Sequence, residues 1–526
     1  VRFKFSFFFQ IFLSCFFCAA ASAQQNICID STQEPEEVSI AISPKNPANM
    51  VAGANITCYY YSQDTGHTWK SGLMKSSYGV WGDPIVLCDT AGDFHFFHLS
   101  TPANGHWIDR MVCQTSTDGG KTWDDGTYTG LNGEKNQDKP GCAIDLTNSP
   151  YRNRLYIAWT QFDHYESRNP VDSSRILFSY SADGAATWST PVRIDSHAGD
   201  CLDGDSTDEG AVPAIGPKGQ VYVTWAGPDG LAFNKSMDGG KTWAAHQKNI
   251  TPITGGWDYD VHGINRCDGL PATLCDVSNG PHSGTIYVNW SDQRNGSDNT
   301  DVWLVKSADE GETWSKPIRV NNDMGDHQQF MSWLAVDPAN GYLYCLFYDR
   351  RNHDADTTDV YLAVSRDGGN SFVNFRINDN WFVPTAEDFF GDYISVQARN
   401  NIIRPIWMQM QQHRLRIYTA LVNADNLDWA MYKPASGARA NLPATKFGEE
   451  NTSLWFQFTL SESQYINLSV VNMWGQTVRY LYLDHFMQQG KQEYILDRSE
   501  YFLQPGAYAY KLETNKGSIY KPFVIY

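Results

Sequence analysis

The sequence predicts an all-β protein, a β-propeller of seven blades, with six as the alternative, followed by a small C-terminal β-sandwich. Three observations predict it. An octet of pattern SxDxGxTW occurs six times: SQDTGHTW from Ser62, STDGGKTW from Ser116, SADGAATW from Ser181, SMDGGKTW from Ser236, SADEGETW from Ser307 and SRDGGNSF from Ser365. Its aspartates, Asp64, Asp118, Asp183, Asp238, Asp309 and Asp367, are spaced by 54, 65, 55, 71 and 58 residues, the length of a four-stranded unit with variable loops. Seven apolar runs open the units: EVSIAIS at 37, GDPIVLC at 82, DKPGCAID at 138, EGAVPAIG at 209, LPATLCD at 270, FMSWLAVD at 330 and GDYISVQ at 391.

Taken in chain order, residues 1–23 read as a signal peptide: Arg2 and Lys4, a Phe-rich apolar run, then Ala21, Ser22 and Ala23 at cleavage-site spacing. A lipobox reading of FLSC at Cys15 is the alternative. Residues 24–428 hold the repeats. Each octet follows an alternating run such as RILFSY or DVYLAV and precedes another extended piece, which makes it a tight turn between strands. Asp binds backbone N–H groups of the turn, Gly takes the positive φ and Trp packs beneath. The seventh unit has no octet and no fourth strand of its own; QNICIDST near residue 25 is the candidate to supply it and close the ring. Residues 429–446, around KPASGARANLPATKF, read as a linker, and 447–526 alternate as strands (SLWFQFTL, YINLSVVN, GAYAYKLET).

The octet resembles the Asp box, or BNR repeat, of sialidases and other glycan-handling propellers. The resemblance implies that the box closes the turn between the third and fourth strands of a blade, on the side away from the ligand-binding mouth, so the six aspartates are structural. NLSVVNMWGQTVRYLYL and LQPGAYAYKLETNKGSIYKPFVIY resemble the C-terminal sorting domain of the type IX secretion system of Bacteroidetes. That implies the secretion machinery as a partner and a secreted or cell-surface location, reached through the outer membrane. A carbohydrate-binding or structural sandwich is the alternative for this segment.

Formal net charge is −19, which argues against nucleic acid or an anionic membrane surface as partner. Beyond Ala23 no apolar run has the roughly 18 residues of a spanning helix. Nine of the 11 cysteines follow residue 23; Cys267 and Cys275 are the preferred disulfide pair, whereas Cys88, Cys142 and Cys345 fall in strand patterns and pack. No zinc spacing is present and no cofactor is expected. Asp354, Asp356 and Asp359 are candidate calcium ligands whose spacing lacks the Gly and Glu of a known loop.

Loops that lead into inner strands converge on the mouth of a propeller, so chemistry is expected there. Those positions hold Glu37, Asp83, Asp138, Asp208 with Glu209, His262, Asp326 with His327, and Asp392. A ring of carboxylates suits acid and base work on a sugar; Glu209 and Asp392 lead the catalytic candidates, with Asp138, Asp83 and Glu37 beside them. Such residues also cap strand ends. Arg294 and Arg351, in the matching loops NWSDQRNGSDNTDVWL and FYDRRNHDADTTDVYL, are candidates to grip an acidic sugar, or else halves of a duplicated Asp–Arg bridge. The sialidase resemblance implies three arginines on the substrate carboxylate, yet no (F/Y)RIP motif is present, and Arg193, Arg319 and Arg376 mark one repeated strand position. The expected activity is a secreted, exo-sialidase-like glycoside hydrolase acting on a glycan or glycoprotein. A non-catalytic glycan- or protein-binding propeller is the alternative, and a polysaccharide lyase using His262 a further one.

Overall fold

The computed structural model describes residues 25–427 except 324 and 354, and from 445 onward the seven strands of the C-terminal segment with a few residues beside them. The signal peptide, most of the linker, Asp354 and the MWGQ turn lie outside the described residues. The chain falls into two compact units divided near Asp425.

In the first unit seven sheets follow one another along the chain. Their first strands are β2 (Ser39–Ile42), β6 (Ile85–Cys88), β10 (Asn136–Ile144), β14 (Glu209–Ile215), β18 (Ala272–Cys275), β22 (Gln329–Val336) and β26 (Ser395–Arg399). Each touches the next and β26 touches β2, so the inner strands form a closed cycle. Six sheets are consecutive antiparallel meanders of four strands. The seventh takes its outer strand from the other end of the chain: β1 (Asn26–Asp30) pairs antiparallel with β28 (Leu415–Ala420). This removes a free edge that would otherwise invite association.

The octets join third to fourth strands. The third strands β4 (Cys58–Ser62), β8 (Met111–Ser116), β12 (Ser174–Ser181), β16 (Gly230–Ser236), β20 (Asp301–Ser307) and β24 (Asp359–Ser365) each end on the octet's serine. At Asp118, Oδ1 accepts the Ser116 hydroxyl (2.9 Å) and the Thr122 N–H (3.0 Å), Oδ2 accepts the Thr122 hydroxyl (2.7 Å), and Ser116 Oγ accepts the Gly120 N–H (2.9 Å). The other five boxes repeat this pattern, Ala185 adopting φ 70° where the others place Gly. The box tryptophans reach back to the preceding sheet: Trp188 to Phe97, Trp243 to Phe178 and Trp314 to Phe233, at centroid distances of 5.8, 4.6 and 5.2 Å. In an antiparallel meander the first and third strands run the same way. The boxes, after third strands, therefore lie on the face opposite the starts of the inner strands.

Second strands carry the largest buried rings. Trp159, Trp225, Trp290 and Trp407 are fully buried, and each indole N–H finds an acceptor, Gln137 (2.7 Å), Asp208 (3.1 Å), Asp292 (2.9 Å) and Gln409 (3.3 Å). Asp208 thus serves the fold. All nine cysteines from Cys28 onward are free, which corrects the Cys267–Cys275 disulfide. Cys267 precedes β18 at the mouth and Cys275 ends that strand. An extended strand rises roughly 3.3 Å per residue, which carries the two thiols beyond the Cα separation of about 7 Å that a disulfide tolerates.

The second unit has a three-stranded sheet, β30 (Thr445–Glu450), β31 (Ser453–Leu460) and β34 (Gly490–Asp497). Its four-stranded sheet orders β33 (Thr477–Met487), β32 (Gln464–Asn472), β35 (Gly506–Thr514) and β36 (Gly517–Ile525). Phe456 and Phe458 of one sheet share a core with Leu468, Val470, Tyr510 and Leu512 of the other, which makes a β-sandwich. Among the described residues no helix is long and apolar enough to cross a membrane.

Candidate functional site

Five inner strands are entered through a residue in the left-handed region: Glu37 (φ 51°), Asp83 (52°), Lys139 (46°), Gly210 (67°) and Met331 (47°). Four of these carry side chains, and for them the conformation costs energy that the surrounding ring must supply. Asp83 and Lys139 each precede a proline, so they are equivalent positions in neighbouring sheets. The cation at the third sheet therefore stands where the first two sheets have acids, Glu37 and Asp83.

The ring surrounds a cavity of about 50 Å³. Its polar lining is Asp83, Lys139, Asp268, Ser332, Asp392 and Tyr393, and Leu270, Met331 and Trp333 are among its apolar residues. Asp392 lies at the hub. It accepts the Arg266 Nε–H at 2.8 Å, a second Arg266 N–H, and the Lys139 ammonium. Although burial opposes its charge, Lys139 and Arg266 hold its carboxyl well below the usual carboxylate range. Lys139 also lies 3.7 Å from Glu37 Oε1. Arg266 reaches Asp203 at 3.1 Å, and Asp203 also accepts the Tyr165 hydroxyl.

The other carboxyls are pushed the opposite way. Burial, then the Asp83 charge, raises Asp138 to about 8. Burial raises Glu37 strongly, with Asp83 as the next cause, and Asn55 donates to Glu37 Oε2. Glu209 is fully buried, and no N–H or O–H donor reaches either oxygen. Its neighbour is the Asp203 carboxyl, and two carboxyls in contact are stable only with a proton between them. Asp268, 3% exposed, also lacks a donor at both oxygens, and burial followed by the Asp392 charge raises it well above the carboxylate range. Asp83 is raised less, and its Oδ2 has no donor. The Tyr393 hydroxyl has none either, and burial raises it strongly.

The structure thus brings Glu37, Asp83, Asp138, Glu209 and Asp392 into one cluster, though with unequal access. Asp83 and Asp392 line the cavity, whereas Glu209 lies behind the Gly210–Val212 wall, fully buried. The arginine and histidine candidates are elsewhere. Arg294 pairs with Asp292 at 2.6 Å and stacks over Trp303, and Arg351 pairs with Asp349 at 2.6 Å and stacks over Tyr361. Asp292 and Asp349 end the corresponding strands β19 (Ile286–Asp292) and β23 (Leu343–Asp349), so this is one bridge repeated in adjacent sheets. His262 is exposed and faces Asp356 at 2.6 Å. Asp356 also meets Arg350, and Asp359 meets Arg376 and His353. Among the described residues no three His, Cys, Asp or Glu side chains group as a metal site. Arg193, Arg319 and Arg376 pair with Asp195, Asp301 and Asp359 in turn.

Sequence reasoning missed Lys139, Asp203, Arg266, Asp268 and Tyr393. Lys139 was within reach: aligning GDPI on DKPG by proline places it on Asp83. Asp203, Arg266 and Asp268 come from irregular loops with no repeated frame.

No family model matches the chain. In sequence it is similar to a protein named sialidase from Bacteroides fragilis (strain YCH46), 24% identical over 282 residues, 48% of this chain and 46% of that protein. The chain therefore spans about half the length of that relative. Among solved structures it is similar to a Hadza microbial sialidase, at 14% identity over 71% of this chain and 73% of that one, with a TM-score of 0.40. It is also similar to an ulvan lyase of the polysaccharide lyases, at 12% identity over 76% and 96%, with a TM-score of 0.45. The chain is an all-β propeller protein, similar in sequence over that stretch to a sialidase.

Proposed function

We propose that the protein is a secreted glycoside hydrolase on a sialidase-like propeller, acting on extracellular glycans, with its C-terminal sandwich addressed to the type IX secretion machinery. One observation carries the catalytic reading: two carboxyls with oxygens that no donor reaches, Asp268 and Asp83, line one cavity, and burial raises Asp268 further than Asp83, the kind of separation by which an active site tells acid from base. Asp268, whose carboxyl burial and the Asp392 charge raise well above the usual carboxylate range, is the general acid. It protonates the glycosidic oxygen as the bond from that oxygen to the anomeric carbon breaks. Asp83, the cavity carboxyl nearer to ionisation and with a free Oδ2, takes a proton from the water that attacks the anomeric carbon. Asp392, saturated by Lys139 and Arg266, holds the ring in register.

Both cations that meet this ring are already paired, so a sugar carboxylate would enter among acids with no free partner. Turnover is therefore expected on neutral glycosides ahead of sialosides. The test is a panel of aryl glycosides with a sialoside included, using the full chain and its Asp268→Asn and Asp83→Asn variants. Each variant is expected to lose about 10²–10⁴-fold in kcat with its fold retained. No turnover on any glycoside, or turnover indifferent to both substitutions, removes the hydrolase reading in favour of a binding propeller.

A further inference from the structure

Beside the cavity, on the same face, two tryptophans are left half in water: Trp81 is 41% exposed and Trp107 40%. Single exposed rings are ordinary, but two in contact mark a surface for recognition. Their rings meet edge to face at 6.1 Å, and Trp107 meets Tyr165 the same way at 5.4 Å. Trp81 precedes the second inner strand. Trp107 and Tyr165 lie in loops between second and third strands, which open on the mouth.

The backbone beneath these rings is fixed. The Trp81 N–H donates to the Leu99 carbonyl at 2.9 Å. Asn136, at the start of β10, donates from Nδ2 to the Trp107 carbonyl (3.1 Å) and accepts the Tyr165 N–H at Oδ1 (3.0 Å). Ile108, next to Trp107, is fully buried, and its carbonyl accepts the Gln137 N–H at 2.7 Å. Rings held this way lose little freedom on meeting a ligand. The row is also continuous with the cavity: the Tyr165 hydroxyl donates to Asp203, Asp203 meets Arg266, and Arg266 meets Asp392.

We infer that Trp81, Trp107 and Tyr165 form a stacking platform for a glycan chain whose end enters the acidic cavity, so that the ligand is an oligo- or polysaccharide. This rests on the glycan reading above. A pyranose or furanose ring offers an apolar C–H face that covers an indole, while its hydroxyls stay in water or reach the acidic rim. A protein partner would instead need a wider apolar patch around the pair.

The test is affinity electrophoresis of the full chain in gels containing xylan, arabinan, laminarin, dextran or chitosan, with Trp81→Ala, Trp107→Ala and the double variant. Wild type is expected to be retarded by at least one polymer. The double variant should bind that polymer about tenfold or more weakly, with an unchanged thermal midpoint, because both rings are exposed. Chain-length dependence adds a readout that misfolding would not give, the loss growing from disaccharide to polymer. Retardation of wild type by none of the five, or equal retardation of the double variant, overturns the platform. If aryl glycosides are not hydrolysed but retardation still depends on the two tryptophans, the platform stands and the hydrolase reading falls.

Discussion

At Asp392 one buried carboxylate answers two cations, the buried Lys139 and the half-buried Arg266. Burying charge is costly, and the cost is offset only while the partners are complete. Asp392→Asn leaves Lys139 with the more distant Glu37 and Arg266 with Asp203. It is expected to destabilise the protein by about 3–5 kcal/mol, measured by denaturant unfolding. A stability unchanged within about 0.5 kcal/mol would mean that Asp392 is not the hub. Glu209 contrasts with it: it is fully buried, neither oxygen has a hydrogen-bond donor, and burial raises its carboxyl, so Glu209→Gln is expected to cost little stability in the same measurement. Glu209, which leads the sequence candidates with Asp392, thus does not line the cavity, whereas Asp268 does.

Among the elements, β1 has the largest consequence for its length. It completes the last sheet from the start of the chain, and its Asp30 accepts the hydroxyl of Tyr60, a fully buried residue of β4 in the first sheet, at 2.7 Å. This bond ties the two ends of the ring together. Asp30→Ala leaves a buried hydroxyl without its acceptor and is expected to cost about 1–3 kcal/mol. Tyr60→Phe combined with it should restore part of that loss in a double-mutant cycle, whereas strict additivity would show that the two side chains do not interact. The octets act at the same scale, each turn bonding itself internally, and Trp188, Trp243 and Trp314 sending their rings back to the previous sheet.

For the whole molecule, the acid ring sets the pH dependence of stability. Glu37, Asp83, Asp138, Glu209 and Asp268 hold protons more tightly folded than unfolded, and Asp208, raised to about 8 mainly by burial, does the same. The contribution of Asp138 and Asp208 is complete below the unfolded carboxyl value near 4 and is lost as pH rises to about 8, and that of the other four is lost as pH rises above the usual carboxylate range. Asp392 and the box residues Asp64 and Asp118, the latter two lowered to about 2 by turn hydrogen bonds, act oppositely and lose their contribution as pH falls below about 4. The thermal midpoint is therefore expected to peak near pH 5 and to be lower at pH 8.5 in a calorimetric scan. Glu209→Gln should flatten the alkaline side of that profile. A midpoint that climbs steadily from pH 5 to 8.5 contradicts the proton inventory of the ring.

The propeller, its repeat and its turns were legible in the sequence, and so was a candidate strand to close the last sheet, because these depend on local patterns that recur: alternation, a turn signature, and Asp–Gly–Trp chemistry at fixed offsets. The sequence also brought Glu37, Asp83, Asp138, Glu209 and Asp392 to one ring, since inner strands that start alike must end up adjacent. Which of them reach the cavity, and which way burial and neighbouring charges push each carboxyl, emerges from the folded arrangement alone. That depends on contacts across the ring, such as Arg266 with Asp392, 126 residues apart, and Lys139 with Asp392, 253 apart. It likewise turned Arg294 and Arg351 into bridges with Asp292 and Asp349, and gathered Trp81, Trp107 and Tyr165 from separate loops into one row. Burial and charge at a site are set by neighbours in space, and in loops that do not repeat, sequence order says little about who those neighbours are.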